Sequence, residues 1–347
     1  MAKKGRAKKL RVILLADETL LPDGDLKDFS EKQRELRKTE FDVRDAVEAL
    51  GHDLFSIGVS DDLSTIRGAI DAHKPHIAFN LVEEFAGIGH FDQHVVSYLE
   101  LRQQPYTGCN PRGLTFARDK ALTKKILAYD DLKVPEFATF PKGRTVKRPE
   151  KLEFPLFVKS LTEEGSAGIS TASIVHDDTK LKERVEYIHR TTNSTALAEQ
   201  FIDGREIYVG VMGNQLITAL PAWEFSMTKK ENGTPLIASD RAKWDPKYQR
   251  QVGLRTGPAK LSRKMQVKLS DLSKRIYRLL GMSGYARLDY RLTEDGEAYL
   301  LEANPNPQIA KDEDFALSAK HTGIEYPELI EQLIRFGINY VPYRSIG

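Results

Sequence analysis

From Leu10 to Ala16 the chain is apolar apart from Arg11 and then meets Asp17, the pattern of a strand buried on both faces. Between Ser30 and Leu50, Leu36, Phe41, Val43, Ala46, Val47 and Leu50 recur mainly at helical spacing, and Gly51 stops the helix. His52–Val59, His76–Leu81 and the short Gln104–Thr107 read as further strands. Helices over Asp61–Ala72, with Ser60 or Asp61 as cap, and Asp92–Arg102 separate them. This alternation predicts a parallel sheet with helices on both faces, a Rossmann-like α/β domain ending near residue 115.

From residue 116 the pattern changes. Arg118–Tyr129 is helical, and Glu136–Phe140 and Pro155–Ser160 are strands. A small-residue loop, Glu164–Ser170, leads to a strand ending at Val175, and a helix spans His176–His189. Thr195–Phe201 and Arg205–Met212 are strands around the Asp203-Gly204 turn. Beyond them come a long polar excursion from Glu224 to Pro258, a helix at Ser262–Leu280, a hairpin at 284–304 and a helix at Tyr326–Phe336. This second part reads as α+β, antiparallel sheet with helices packed on it. The expected division is 1–117, 118–212 and 213–347.

Composition narrows the class. One cysteine, Cys109, cannot form an internal disulfide, which makes a reducing cytoplasm the expected location. No apolar run approaches the roughly 20 residues of a membrane span, and no signal-peptide core follows the charged start. The net charge of +2 misleads, because residues 1–11 carry six basic residues and no acid. The remaining 46 basic and 50 acidic residues leave the body at about −4. That body has no basic patch interleaved with aromatics, so nucleic acid is not an expected partner; the tail reads as a solvated leader.

The candidate chemistry lies in the hairpin. If Asp295-Gly296 is a two-residue loop, Asp289 faces Glu302 and Arg287 faces Asn304, all four on one face. The other face is then Leu288, Tyr290, Leu292, Tyr299, Leu301 and Ala303, suited to a core. Facing carboxylates repel across about 4.5–5.5 Å, a cost that a divalent cation between them removes. Oxygen donors from Asp, Glu and Asn suit Mg²⁺. The alternative is a solvated face neutralised by Arg287 and Arg291. Glu164–Ser170, following the strand that ends near Lys159, is a phosphate cradle or an ordinary turn. His90 and His94, four apart, are metal ligands on one helix face or surface residues. Trp223 and Trp244 cover a ligand or anchor a loop, and Cys109 reads as a packed bystander. Neither a Walker loop nor a full dinucleotide fingerprint occurs.

Asp119-Lys120, Phe157-Val-Lys159, Glu164-Gly-Ser-Ala-Gly-Ile-Ser170, Glu199-Gln-Phe-Ile-Asp-Gly-Arg-Glu206, Ala286-Arg-Leu-Asp289 and Leu301-Glu-Ala-Asn304 occur in that order. Together they resemble the ATP-grasp superfamily, and within it D-alanine–D-alanine ligases. The resemblance implies a Rossmann-like domain followed by a two-part ATP-grasp fold, with ATP and Mg²⁺ as cofactors. Lys120 and Lys159 then match phosphate-binding lysines, with Ser166 and Gly168 in a flexible loop over the phosphates. Glu199 matches the residue meeting the adenine amino group, Ile202 supplies nearby backbone, and Glu206 matches the ribose ligand. Lys243 resembles a further phosphate lysine with a catalytic role. Asp289, Glu302 and Asn304 match the metal ligands, and Arg287 the arginine that stabilises the tetrahedral intermediate.

The implied activity is ATP-dependent joining of a small carboxylate and an amine through an acyl phosphate, releasing ADP. The departures concern the substrates. Asp17–Gly24 stands where the ligases carry a glycine-serine loop with an amine-binding glutamate, Trp244 replaces a tyrosine, and Gly165 replaces a loop serine. Gln308 replaces a glycine, and the serine holding the second substrate's carboxylate falls near Asp312 or Glu313. Lys311-Asp-Glu-Asp314 sets three acids against one lysine, which predicts an acceptor with an extra ammonium or without a free carboxylate. Substrates other than two D-alanines are therefore expected. Authentic D-alanine–D-alanine ligation and a non-catalytic ATP-binding regulator are the alternatives; the retained Arg287 and metal-ligand set speaks against the last. No membrane partner is expected, and a homodimer is the assembly left open.

Overall fold

The computed structural model describes residues 9–163, 168–228, 237 and 245–342. Three strands form a parallel sheet in the order β2-β1-β3: β1 (Arg11–Asp17), β2 (Asp53–Val59) and β3 (Ile77–Asn80). Val12–Ala16 have no exposed surface, as their unbroken apolar run requires. Helix α1 (Glu31–Ala49) opens with a capping box between Ser30 and Gln33. Asp62, not Ser60 or Asp61, caps α2 (Leu63–His73). Helix α3 (Asp92–Leu101) follows.

The expected strand at Gln104–Thr107 contracts to one parallel bridge, Tyr106 to Ala78. The Thr107 hydroxyl accepts the Asn80 N–H at 3.0 Å, taking over a ladder position. The chain then passes through Gly108, against which Gly284 packs so closely that a Cβ on Gly284 would lie 2.2 Å from the Gly108 carbonyl. Helix α4 (Pro111–Arg118), which the periodicity reading left out, is set by Asn110 as cap with proline at its first position.

Helix α5 (Lys120–Tyr129) precedes a four-stranded antiparallel sheet, order β4-β7-β5-β6: β4 (Phe137–Phe140), β5 (Leu156–Ser160), β6 (Ile174–Val175) and β7 (Ala196–Gln200). Helix α6 (Asp178–Thr191) covers it, burying Leu181, Val185 and Ile188. The second antiparallel sheet contains β8 (Arg205–Gly213), β9 (Ile217–Ala219), β10 (Trp223–Met227), β11 (Leu254–Pro258), β12 (Tyr285–Leu292) and β13 (Ala298–Pro305). Asp203-Gly204 thus closes no hairpin: it passes the chain from one sheet to the other, and Arg205–Gly213 pairs with β12 rather than in the central sheet. The polar stretch 224–258 contains β10, β11 and α7 (Pro246–Val252). Helices α8 (Arg263–Leu279), α9 (Asp314–His321) and α10 (Tyr326–Asn339) complete the fold. Helix α10 packs on α1 and β3, so the end of the chain closes the core of the first sheet through Leu329, Ile330, Leu333 and Ile334. Among the described residues no helix is long and apolar enough to cross a membrane.

Glu40 on α1 is buried and its Oε2 has no hydrogen-bond partner. Burial first, with Glu83 and Asp17 adding repulsion against Arg37, pushes its carboxyl up to about 8. The folded chain therefore holds this proton more tightly than the unfolded chain. Its contribution is complete below about pH 4.5 and is lost as pH rises toward 8, on the order of 5 kcal/mol across the window. Glu40→Gln should flatten that slope and raise the melting temperature above pH 8. Parallel melting curves for variant and parent from pH 5 to 9 would contradict it.

Candidate active site between the two antiparallel sheets

The hairpin of β12 and β13 sets Asp289 against Glu302 and Arg287 against Asn304. It reaches that register by a different route from a two-residue loop. The turn occupies 293–297, closed by Thr293 N–H to Glu297 O at 2.9 Å, and a bulge between Asp289 and Tyr290 restores the pairing. Near the turn the inward face is consequently Ala298 and Leu300, not Tyr299 and Leu301.

Arg287 holds Asp289 with two hydrogen bonds of 2.8 and 2.9 Å, and the Asn304 amide nitrogen donates to the same carboxylate at 2.9 Å. The guanidinium lies 4.5 Å over the Tyr208 ring. Tyr208 in turn donates to Glu206 at 2.8 Å, and Arg291 reaches Glu206 at 3.1 Å. Arg291 therefore serves Glu206 on the adjacent strand β8, where the solvated-face alternative had it balancing the hairpin acids.

The opposite wall is built by α5, β5 and β7. Lys120 bonds the Glu163 carbonyl at 2.8 Å and lies 3.3 Å from Glu302. Lys159 and Lys124 flank Glu199 at 2.7 and 3.0 Å, all three buried. Burial opposes the charged form of Glu199, but the two ammonium groups outweigh it and hold the carboxyl below its usual range. Burial likewise opposes Lys159, whose pKa Glu199 and Glu302 nevertheless keep raised. One network thus carries Lys120, Lys159, Glu199, Glu206, Arg287, Asp289, Glu302 and Asn304 between the sheets. Ile202 lies in the link from β7 to β8, and Gly168 takes φ +71° before β6. Ser166, Lys243, Gly165 and Trp244 lie outside the described residues.

The third group of expected residues meets a different environment. Gln308 is half-buried after β13. Glu313 and Asp312 pair with Lys38 of α1 at 2.5 and 3.5 Å, and Lys311 pairs with Asp42 at 2.9 Å. Lys38 also pairs with Glu35 at 2.6 Å, so one ammonium is shared among three carboxylates and the acidic excess at 312–314 is offset only in part. Lys38, distant in sequence, gives no local signal of this. Lys124 and Tyr208 were also missed. Lys124 falls one helical turn after Lys120, and Tyr208 two strand positions after Glu206, so each shares its neighbour's face.

Cys109 is fully buried and its thiol is pushed up to about 12 by burial, in keeping with a packed bystander. His90 sits in the short 3₁₀ turn before α3, so it does not share a helix face with His94. Trp223 is buried on β10 beside His321, in a core position.

The family model described as D-ala D-ala ligase C-terminus matches residues 126–335. An uncharacterized protein, y4sG, of Sinorhizobium fredii is 33% identical over 76% of this chain and 75% of its own length. A D-alanine–D-alanine ligase of Desulforudis audaxviator is 30% identical over 84% of this chain and 89% of its own. The crystal structure of the Bacillus anthracis D-alanine–D-alanine ligase complexed with ATP superimposes with a TM-score of 0.74. It shares 22% identity and covers 96% of this chain and 98% of that one. The matched sequence places the chain in the D-alanine–D-alanine ligase family of ATP-grasp, ADP-forming C–N ligases.

Proposed function

We propose that the protein joins a small-molecule carboxylate to an amine at the expense of ATP, with the site residues in the roles expected from the sequence. The observation carrying this reading is the clasp of Lys120, Lys159 and Glu199 against Arg287, Asp289, Glu302 and Asn304 across two sheets. The reading divides the chain into a Rossmann-like unit to about residue 117 and two ATP-grasp sheets meeting in the 201–204 link.

The residues fit the cofactors. Glu199 Oε2 is buried 3.0 Å from Lys124, and a carboxylate oxygen accepts more than one hydrogen bond, so it can also take the N–H of a base amino group. Asp289, Glu302 and the Asn304 amide oxygen offer an oxygen-only set that suits Mg²⁺. When bound, Mg²⁺ offsets charge on the transferring phosphoryl group. Lys120 and Lys159 hold phosphate oxygens. The substrate carboxylate attacks the γ-phosphorus, ADP leaves, and an acyl phosphate remains. An amine then attacks its carbonyl, Arg287 stabilises the oxyanion, phosphate leaves and the nitrogen gives up a proton.

For specificity the supporting observation is at β1. Asp17 ends the strand and turns its carboxylate onto Thr19 N and Oγ1 at 2.8 and 2.6 Å, capping a 3₁₀ turn where the ligases have their glycine-serine loop. We therefore retain substrates other than two D-alanines, with D-alanine–D-alanine ligation as the second reading, which the family match favours. ADP release measured with D-alanine alone and with pairs of amino acids and amines decides between them. We expect release to need both an acid and an amine, and to be faster with a pair other than D-alanine. Efficient turnover of D-alanine alone establishes the second reading, and binding of ATP without any acid-dependent release overturns the ligase.

A further inference from the structure

Helix α5 places Lys124 one turn beyond Lys120, against β13. Its side chain is 1% exposed. The ammonium lies 3.0 Å from Glu199 Oε2, 3.2 Å from the Leu301 carbonyl and 3.5 Å from the Leu300 carbonyl. An ammonium has three N–H groups, and three acceptors surround this one. None remains for a phosphate, which separates Lys124 from Lys120 and Lys159.

Two of those acceptors stand at the hairpin's irregularity. Asp289 pairs with Glu302, whereas Tyr290 pairs with Leu300, so Leu301 is the extra residue of the bulge. A bulge leaves backbone groups outside the ladder, and buried carbonyls need a donor. Lys124 supplies it. The bulge in turn decides which face Glu302 takes: a slip of one residue would turn its carboxylate away from Asp289. At its other contact Lys124 fixes one oxygen of Glu199, while Lys159 fixes the other.

We propose that Lys124 is a positioning residue that couples the base-reading carboxylate Glu199 to the register of the metal-binding strand. The proposal rests on the nucleotide and metal roles given above. A methionine at this position fills similar volume but donates nothing, so Glu199 is left with one restraint and the bulge carbonyls with none.

The test uses the full chain carrying Lys124→Met, with Lys124→Gln, which keeps a shorter donor, as second variant. Melting temperature without nucleotide, equilibrium binding of Mg·ATP and Mg·GTP, and the Mg²⁺ concentration for half-saturation are measured for each. For Lys124→Met we expect Mg·ATP binding to weaken about 10-fold, the preference for ATP over GTP to fall about 10-fold, and half-saturating Mg²⁺ to rise several-fold, with Lys124→Gln intermediate. A folded variant with a lowered melting temperature but unchanged nucleotide preference and Mg²⁺ requirement would make Lys124 merely structural and overturn the proposal. Should Lys124→Met not fold, the same comparison is read on Lys124→Gln. If the parent chain itself binds no Mg·ATP, it is the proposed function that fails, a result distinct from both.

Discussion

Glu302→Gln is expected to lower ADP release by at least about 100-fold, which corresponds to about 2.7 kcal/mol of transition-state stabilisation. The amide preserves the shape of the side chain on β13 and removes its charge. Without metal that change should be neutral or mildly stabilising, because Glu302 directly faces Asp289 and like charges in that relation repel. Lys120, 3.3 Å away, loses an ion-pair partner but keeps its 2.8 Å bond to the Glu163 carbonyl. The loss should therefore appear in turnover and in the Mg²⁺ titration, with the melting temperature of the free chain unchanged or higher. Near-parental turnover would remove Glu302 from the metal site.

The same pair shows what the sequence made legible and why. Alternation along β12 and β13 identified the carboxylate face, and the Asp289–Glu302 and Arg287–Asn304 pairings were obtained. Two deviations of one residue each cancel there: a longer turn over 293–297 and an extra residue at Leu301. Neither leaves a trace in the apolar pattern, so the residues nearer the turn were assigned to the wrong face. The parallel sheet was legible in β1 and β3 because buried strands need unbroken apolar runs. Tyr106 was over-read because a side-chain hydroxyl at Thr107 substitutes for ladder pairing. The strand read at Arg205–Met212 was placed with the wrong sheet, since nothing local tells a hairpin turn from a crossing between sheets. The Lys38 pairings with Asp312 and Glu313 join residues nearly the whole chain apart. Charge counting within one segment therefore could not show that Lys38, shared with Glu35, is drawn to these acids.

Arg287→Lys should cost about 10²–10³ in kcat while leaving the affinity for ATP within a few-fold. Lysine keeps the charge, so any loss reports geometry. The guanidinium is held as a two-pronged fork by Asp289 at 2.8 and 2.9 Å and lies 4.5 Å over the Tyr208 ring. Tyr208 is itself fixed by its hydrogen bond to Glu206. An ammonium can satisfy one prong but cannot be planar against the ring and bidentate together. The two chemical steps should respond differently. Phosphoryl transfer depends on Lys120, Lys159 and the metal ligands, so exchange of isotope between the β,γ-bridging and β-non-bridging oxygens of labelled ATP, which reports reversible acyl-phosphate formation, should persist in the variant. Attack of the amine develops charge on the carbonyl oxygen, and amide formation should carry most of the loss. Equal slowing of isotope scrambling and amide formation would move Arg287 to the phosphoryl-transfer step, and unchanged kcat would remove it from the reaction.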